Sequence, residues 1–436
     1  MMRSSIKEDL QGGLGHFWPF RTSKPNLRRN PESGYVRQDA GWLVIETIDE
    51  RPWPTQLKNE NEISPSGLVA ILPKRSILFL ETQSSGSTLR SGYRISSKRY
   101  RARTAIGSIP IDELQSAKLL SITANFHGIG TWAGLTATEE SHETDQNGRF
   151  ESWTVKLKSP PPMSHRTSKG RDLLLSTTWN VGGAEDLRQL SAPISISCAS
   201  VRPRDIWDLL RPLLHIQNMM NLAWEGFVAA SSGSAELHLK PNATNNSDRP
   251  ELWNGALMVP LAGVAGPRSM NHRPLFTLAT VGGIAGLARW VKLCDTYPRA
   301  VGPVVNRYRF GPATSEASLL DIAAGIEYWI KCNRPAAWAN NHFTKALAAH
   351  IGRSFSQWVG DPEKWASDFW QTYNKLKHEA TYVVDPSKIS DFVRSGRLLL
   401  AADLLNRVAR TKEPSRRIFQ SHRTYNLGER LQARYT

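Results

Sequence analysis

The feature that most constrains this chain is a change of hydrophobic period near residue 203. Before it, branched apolar residues come in short runs: Trp42–Ile48, Gly67–Leu72, Ser76–Glu81, Ile122–Phe126, Phe150–Leu157, Leu173–Trp179 and Ile194–Cys198. Pro, Asn and Ser lie between them, the pattern of antiparallel strands and turns. The Asn147-Gly148 step predicts a hairpin. After residue 203 the apolar spacing becomes three and four, the spacing of helices. Pro203–Phe227 reads as a helix kinked at Pro212, and 230–272 as a polar excursion holding a short strand, Glu236–Leu239. Ala285–Cys294, Thr314–Cys332, Phe343–Trp358, Asp361–Glu379 and a segment opening at Asp385-Pro386 follow as amphipathic helices with short links. The expected class is α+β: an antiparallel β-rich N-terminal domain, then a helical region ending in a bundle. The expected divisions are a basic flexible lead (1–33), the β-rich domain (34–200), a helix plus irregular insertion linking the halves (201–274), the bundle (275–411) and a basic tail (412–436).

Charge narrows the function. Lys+Arg 55 against Asp+Glu 39 gives a net charge of +16 over 436 residues. Such a balance favours a polyanionic partner, in the first place nucleic acid. Three scattered cysteines form neither a disulfide framework nor a zinc knuckle, which suits a reducing, cytoplasmic setting. The N-terminus has no signal-like apolar run, and Leu275–Ala288 is too short to span a bilayer, so no membrane association is expected.

The most informative stretch is Asp361–Glu379. Asp361-Pro362 is a helix start, a side-chain acceptor followed by a residue with preset φ. Trp365, Phe369, Tyr373 and Leu376 form one apolar stripe. At about 100° per residue, Asn374 and His378 fall on the opposite side, one turn apart. A solvated helix face can look the same, so the pair gains meaning only from its context.

That context is the order of parts, which resembles the ApeA-like anti-phage proteins, a β-rich N-terminal domain joined to a C-terminal HEPN bundle. The resemblance rests on Ile63–Leu72 as a Gly-centred strand pair and on Ile122–Leu135 as a strand-then-Trp turn with Phe126 and Trp132. It also rests on Leu319–Trp329 taken with Tyr373-Asn-Lys-Leu-Lys-His378. It spans about residues 40–410. HEPN ribonucleases use an Arg, a polar residue just after it and a closing His. Asn374 and His378 match the last two, and Tyr373 stands where the Arg is expected.

The resemblance implies metal-independent cleavage of cellular RNA, tRNA among the candidate targets, switched on by infection through a phage-encoded trigger. No cofactor or metal is expected. Histidine, which exchanges its proton near neutrality, suits the proton-transfer role of His378, and Asn374 would orient it or bind phosphate. Lys375 or Lys377 would supply the missing cation as a point charge rather than a fork. One protomer offers one such His, so acid and base together require a homodimer or higher homo-oligomer through the HEPN domain. Glu327 matches a recurrent acidic position and would orient His378 or neutralise a lysine; a solvated glutamate is the plain alternative. The alternative function is a catalytically impaired HEPN dimer that binds RNA or regulates.

A second basic feature is Arg94, Lys98, Arg99, Arg101 and Arg103, interleaved with Tyr93 and Tyr100. Cations for phosphates and rings for bases suit RNA. Lysines and arginines that guard a sheet edge explain the strip equally well. His350, close to its helix's apolar stripe, reads as a core-edge histidine. No P-loop, His-Glu-x-x-His zinc pattern or nucleophile elbow is present.

Overall fold

The computed structural model describes residues 5–20, 30–49, 65–90, 95–177, 179–183, 189–240, 249–267, 270, 273–334 and 343–436. Ile63 and Ser64 of the strand-pair motif, and Tyr93 and Arg94 of the basic strip, lie outside these residues.

The N-terminal half is built on two antiparallel sheets. The larger has nine strands in the order Leu252–Asn254, Thr104–Gly107, Ser76–Leu80, Gly67–Ile71, Gln11–Phe20, Glu32–Asp39, Trp42–Asp49, Ile95–Ala102, Gln83–Arg90. The smaller runs Met163–Arg166, Asp172–Thr177, Ile194–Arg204, Leu114–Phe126, Ala230–Leu239. Alternation divides the central strands between two cores. Val69, Leu78, Leu80 and Ile106 face the main core, whereas Leu68, Ala70, Ile77, Phe79 and Ala105 face a second one. Strands buried on both faces become continuous apolar runs, which is why Gly67–Leu72 and Ser76–Glu81 read so clearly. The hairpin at Asn147-Gly148 forms between Thr138–Thr144 and Phe150–Leu157, its turn closed by Asp145 Oδ1 accepting from the Asn147 and Arg149 amides.

Three expected divisions are corrected. Residues 11–20 of the supposed lead form a strand inside the large sheet, between Gly67–Ile71 and Glu32–Asp39. Its glycines hid it, yet they are required: a Cβ on Gly15 would sit 2.4 Å from the Ile71 carbonyl oxygen. The segment 201–274 does not merely link two halves. Its helix Ile206–Trp224 packs on the smaller sheet, and its strands Ala230–Leu239 and Leu252–Asn254 close one edge of each sheet. The helix runs unbroken through Pro212. The basic tail is two packed helices, Glu413–Phe419 and His422–Tyr435, which bury Ile418, Phe419, Leu427, Leu431 and Tyr435.

The helical half surrounds Pro386–Ala409, buried on nearly every side and packed against Gly283–Thr296, Pro298–Val305, Ser315–Asn333 and Phe343–Ile351. A helix enclosed in this way forms the centre of a bundle. The expected helix Phe343–Trp358 is two, Phe343–Ile351 and Arg353–Val359, because Gly352 adopts a positive φ of 78°. The main core runs without a break from the sheets into the bundle. Among the described residues, no helix is long and apolar enough to cross a membrane.

Candidate active site

The helix Pro362–His378 starts as its sequence dictates. Asp361 Oδ1 accepts from the Glu363 and Lys364 amides at 2.9 and 3.0 Å. These bonds, led by the Lys364 amide, hold the Asp361 carboxyl below its usual range. The apolar stripe packs as expected: Trp365 and Phe369 are fully buried, Tyr373 nearly so, and Leu376 is half-buried. Polar contacts fix the helix from several sides. Trp365 Nε1 donates to Ser395 Oγ at 3.2 Å, Lys388 Nζ to Asp368 Oδ1 at 2.7 Å and the Tyr435 hydroxyl to Asp368 Oδ2 at 2.9 Å.

On the opposite face Asn374 and His378 are exposed one turn apart, and neither side chain bonds to another described residue. Lys375 and Lys377 flank them, both exposed. Lys375 Nζ lies 5.2 Å from the Tyr382 ring centre and Lys377 Nζ 5.6 Å from that of Tyr373. Two ammonium groups are thus steered by aromatic faces beside the Asn/His pair.

Tyr373 is a core residue. It is 6 % exposed and its ring lies 4.9 Å from that of Trp370, which continues to Phe343 at 5.3 Å. The position before Asn374 therefore points toward the bundle interior. Glu327 is joined to Lys331 by an i,i+4 ion pair. Among the described residues it makes no bond to His378.

The basic strip does not form one surface. Strand alternation puts Lys98 on one face of the sheet and Arg99, Arg101 and Arg103 on the other. Lys98 pairs with the buried Glu32 at 2.8 Å, and Arg99 with Glu46 at 3.3 Å. Arg103 stacks over Trp42 at 4.3 Å, and among the strip's described cations Arg101 is the exposed one. Tyr100, expected as a platform for bases, is 6 % exposed and packs in the second core. The strand Gln83–Arg90 lies outside this one and forms the sheet edge.

Sequence reasoning missed a buried polar knot in the bundle. Asp403, 1 % exposed, accepts from Trp329 Nε1 at 2.6 Å and from Arg334 Nη2 at 2.8 and 2.7 Å, and His350 Nε2 lies 3.4 Å away. Burial, more than any neighbour, pushes the His350 pKa down, while Asp403 opposes it. These residues lie far apart in the chain, and only the fold joins them. Also missed was a groove of about 710 Å³ on the large sheet, lined by Leu14, Tyr35, Ile48 and Ile71 among others. Among the described residues no three His, Cys, Asp or Glu side chains converge as metal ligands would.

Comparison with known families accounts for this architecture. Residues 36–290 match the ApeA N-terminal domain 1, and residues 322–414 match the Apea-like HEPN domain. The first match covers more than half of the chain and passes through 201–274, as the sheet topology requires. Two sheets fused to a HEPN bundle define a defence protein of the HEPN class. The chain belongs to the ApeA family of anti-phage proteins. No curated protein and no solved structure matches it.

Proposed function

We propose that the protein is a metal-independent HEPN endoribonuclease that cleaves cellular RNA, tRNA among the candidate substrates, once infection releases it. One observation carries this reading: Asn374 and His378 stand one turn apart on the exposed face of a helix whose other face is locked into the bundle. His378 takes the proton of a 2′-hydroxyl, and the His378 of a second copy protonates the leaving oxygen. Asn374 binds the phosphate. Lys375 and Lys377 stabilise the charge that develops on it. The working unit is a cytoplasmic homodimer joined through the HEPN domains. The β-rich half restrains it or receives a phage-encoded trigger.

The test is RNA cleavage by purified protein in chelator, beside growth arrest on overexpression. His378→Ala is expected to lower cleavage by at least about 100-fold, the scale of a lost general base or acid. Its Tm should stay within about 1 °C of wild type, as for an exposed position. Equal cleavage by the variant removes His378 from the mechanism.

The burial of Tyr373 supports a second reading. With no arginine fork beside Asn374, the domain retains RNA through exposed lysines without turning it over. RNA retention at low salt, with no cleavage in chelator or in magnesium, would favour it.

A further inference from the structure

Strand alternation ordinarily gives polar residues to the face of a sheet that meets water. On the large sheet three apolar side chains break this pattern together. Leu14, Ile48 and Ile71 are 67, 47 and 45 % exposed, and all three line the groove of about 710 Å³. Apolar residues scattered over a surface are ordinary, whereas several that converge in one groove mark a contact surface.

Register explains the shape of the groove. Ile71, His16, Ser33, Ile48 and Ser97 are successive partners across five strands, from Gly67–Ile71 to Ile95–Ala102. Leu14, Tyr35, Glu46 and Arg99 form the next row, two residues along each strand. The rows are thus about 7 Å apart, and the trough crosses four strand spacings, about 19 Å. Gly15 and Gly34 pair with each other between the rows and line the floor. Each of the five strands has a neighbour on both sides, so an occupant adds no strand to the sheet and is held by side chains. A helix, about 10–12 Å across, would bridge the two rows rather than enter between them, whereas an extended chain fits.

Charge is uneven along the trough. Ile71, Leu72 and Pro73 lie together at one end. Toward the other, Arg99 pairs with Glu46 at 3.3 Å and Arg37 lies 4.0 Å from the same carboxylate, which also accepts from the Tyr35 hydroxyl at 2.6 Å. Arg101, two residues along the strand from Arg99, is exposed on the same face. Glu46 supplies the one carboxylate of the lining, so three guanidiniums leave that end positive.

We propose that the trough binds an extended segment of a partner protein, in which apolar and polar side chains alternate and an acidic residue follows the last apolar one. Ile71 and Ile48 lie three strand spacings apart, about 14 Å, the span from residue i to i+4 of an extended chain. The acidic residue, at i+6, reaches Arg99 and Arg37 one strand further on. An RNA strand would pair with the guanidiniums but gain little from Leu14, Ile48 and Ile71, which offer no ring for a base to stack on. The trough is separate from Asn374 and His378, and its test does not depend on cleavage.

Fluorescence anisotropy of the full chain with a dye-labelled octapeptide provides the test; three leucines alternate with serines, and two aspartates follow. Saturable binding is expected. Leu14→Ser combined with Ile48→Ser should weaken it at least about tenfold, while Tm stays within about 2 °C of wild type, as for exposed positions. Arg99→Gln should weaken it about tenfold, and so should lysines in place of the aspartates. No saturable binding overturns the proposal, as does binding that survives the double variant or is as tight with the lysines. Displacement of the peptide by single-stranded RNA, or by tetradecanoate as readily as by unlabelled peptide, also overturns it, in favour of a nucleic acid or an amphiphile. A wild-type dimer that sediments as monomer in the double variant overturns it in favour of a second copy of the chain.

Discussion

Tyr373 directly precedes Asn374 in the helix that carries the exposed pair, and its surroundings decide what substitution there can do. The ring lies 4.9 Å from that of Trp370 and 5.6 Å from the Lys377 ammonium. Tyr373→Arg is therefore expected to destabilise the bundle by about 2–4 kcal/mol, through lost packing and a charge brought into the core, without raising cleavage above wild type. Urea melts and a cleavage assay on the same preparation check both halves. His215 makes a second prediction at this scale. Its Nε2 lies 3.2 Å from Asp295, a contact that favours the charged ring, yet burial prevails and lowers its pKa to about 4. The unfolded chain binds this proton as pH falls through about 6.5, and the folded chain only near 4. Its contribution is therefore present above pH 6.5 and is lost between 6.5 and 4, on the order of 3 kcal/mol. Stability measured against pH should slope through that window in wild type and flatten there in His215→Gln. Asp295, also lowered, acts at still lower pH.

At the scale of elements, the local signals that reached the right answer were those backed by packing. The cap at Asp361, the stripe Trp365–Phe369–Tyr373 and the Asn147-Gly148 turn each appear in the fold as their chemistry requires. The failures are equally physical. A glycine-rich strand lacks the alternating apolar signal, because its neighbours supply the contacts. A four-residue spacing carried across Gly352 hid a break in the helix. Basic residues at 412–436 drew attention from Leu427, Leu431 and Tyr435, spaced four apart and buried. The exposed placement of Asn374 and His378 was legible from helical geometry, whereas Asp403 with Arg334 and His350 was not, since no local pattern brings such residues together. The site helix also depends on its neighbour. A Cβ on Gly396 would lie 2.7 Å from the Phe369 ring edge and 3.1 Å from Ile322. Gly396→Val should cost about 1–3 kcal/mol by overpacking and should shift the helix that carries His378. A fall in Tm with cleavage reduced more than folded fraction would show it.

Over the whole molecule, the continuous core makes the family's two regions one folding unit. Trp290 Nε1 donates to the His215 carbonyl at 2.7 Å, and Arg309 reaches back to the Ile206–Trp224 helix. Fragments cut at residue 274 are expected to be insoluble when expressed apart, and the intact chain to melt in one cooperative step. Soluble, separately melting fragments would contradict this. The last helix closes the structure: the Asp361 amide donates to the Tyr435 carbonyl at 3.0 Å, and the Tyr435 hydroxyl reaches Asp368. A ribosome releases His378 well before it releases Tyr435. While the chain is still being made, the imidazole rides on a segment whose clamp has not yet emerged. The site helix therefore reaches its final seat only after the closing helix has left the ribosome.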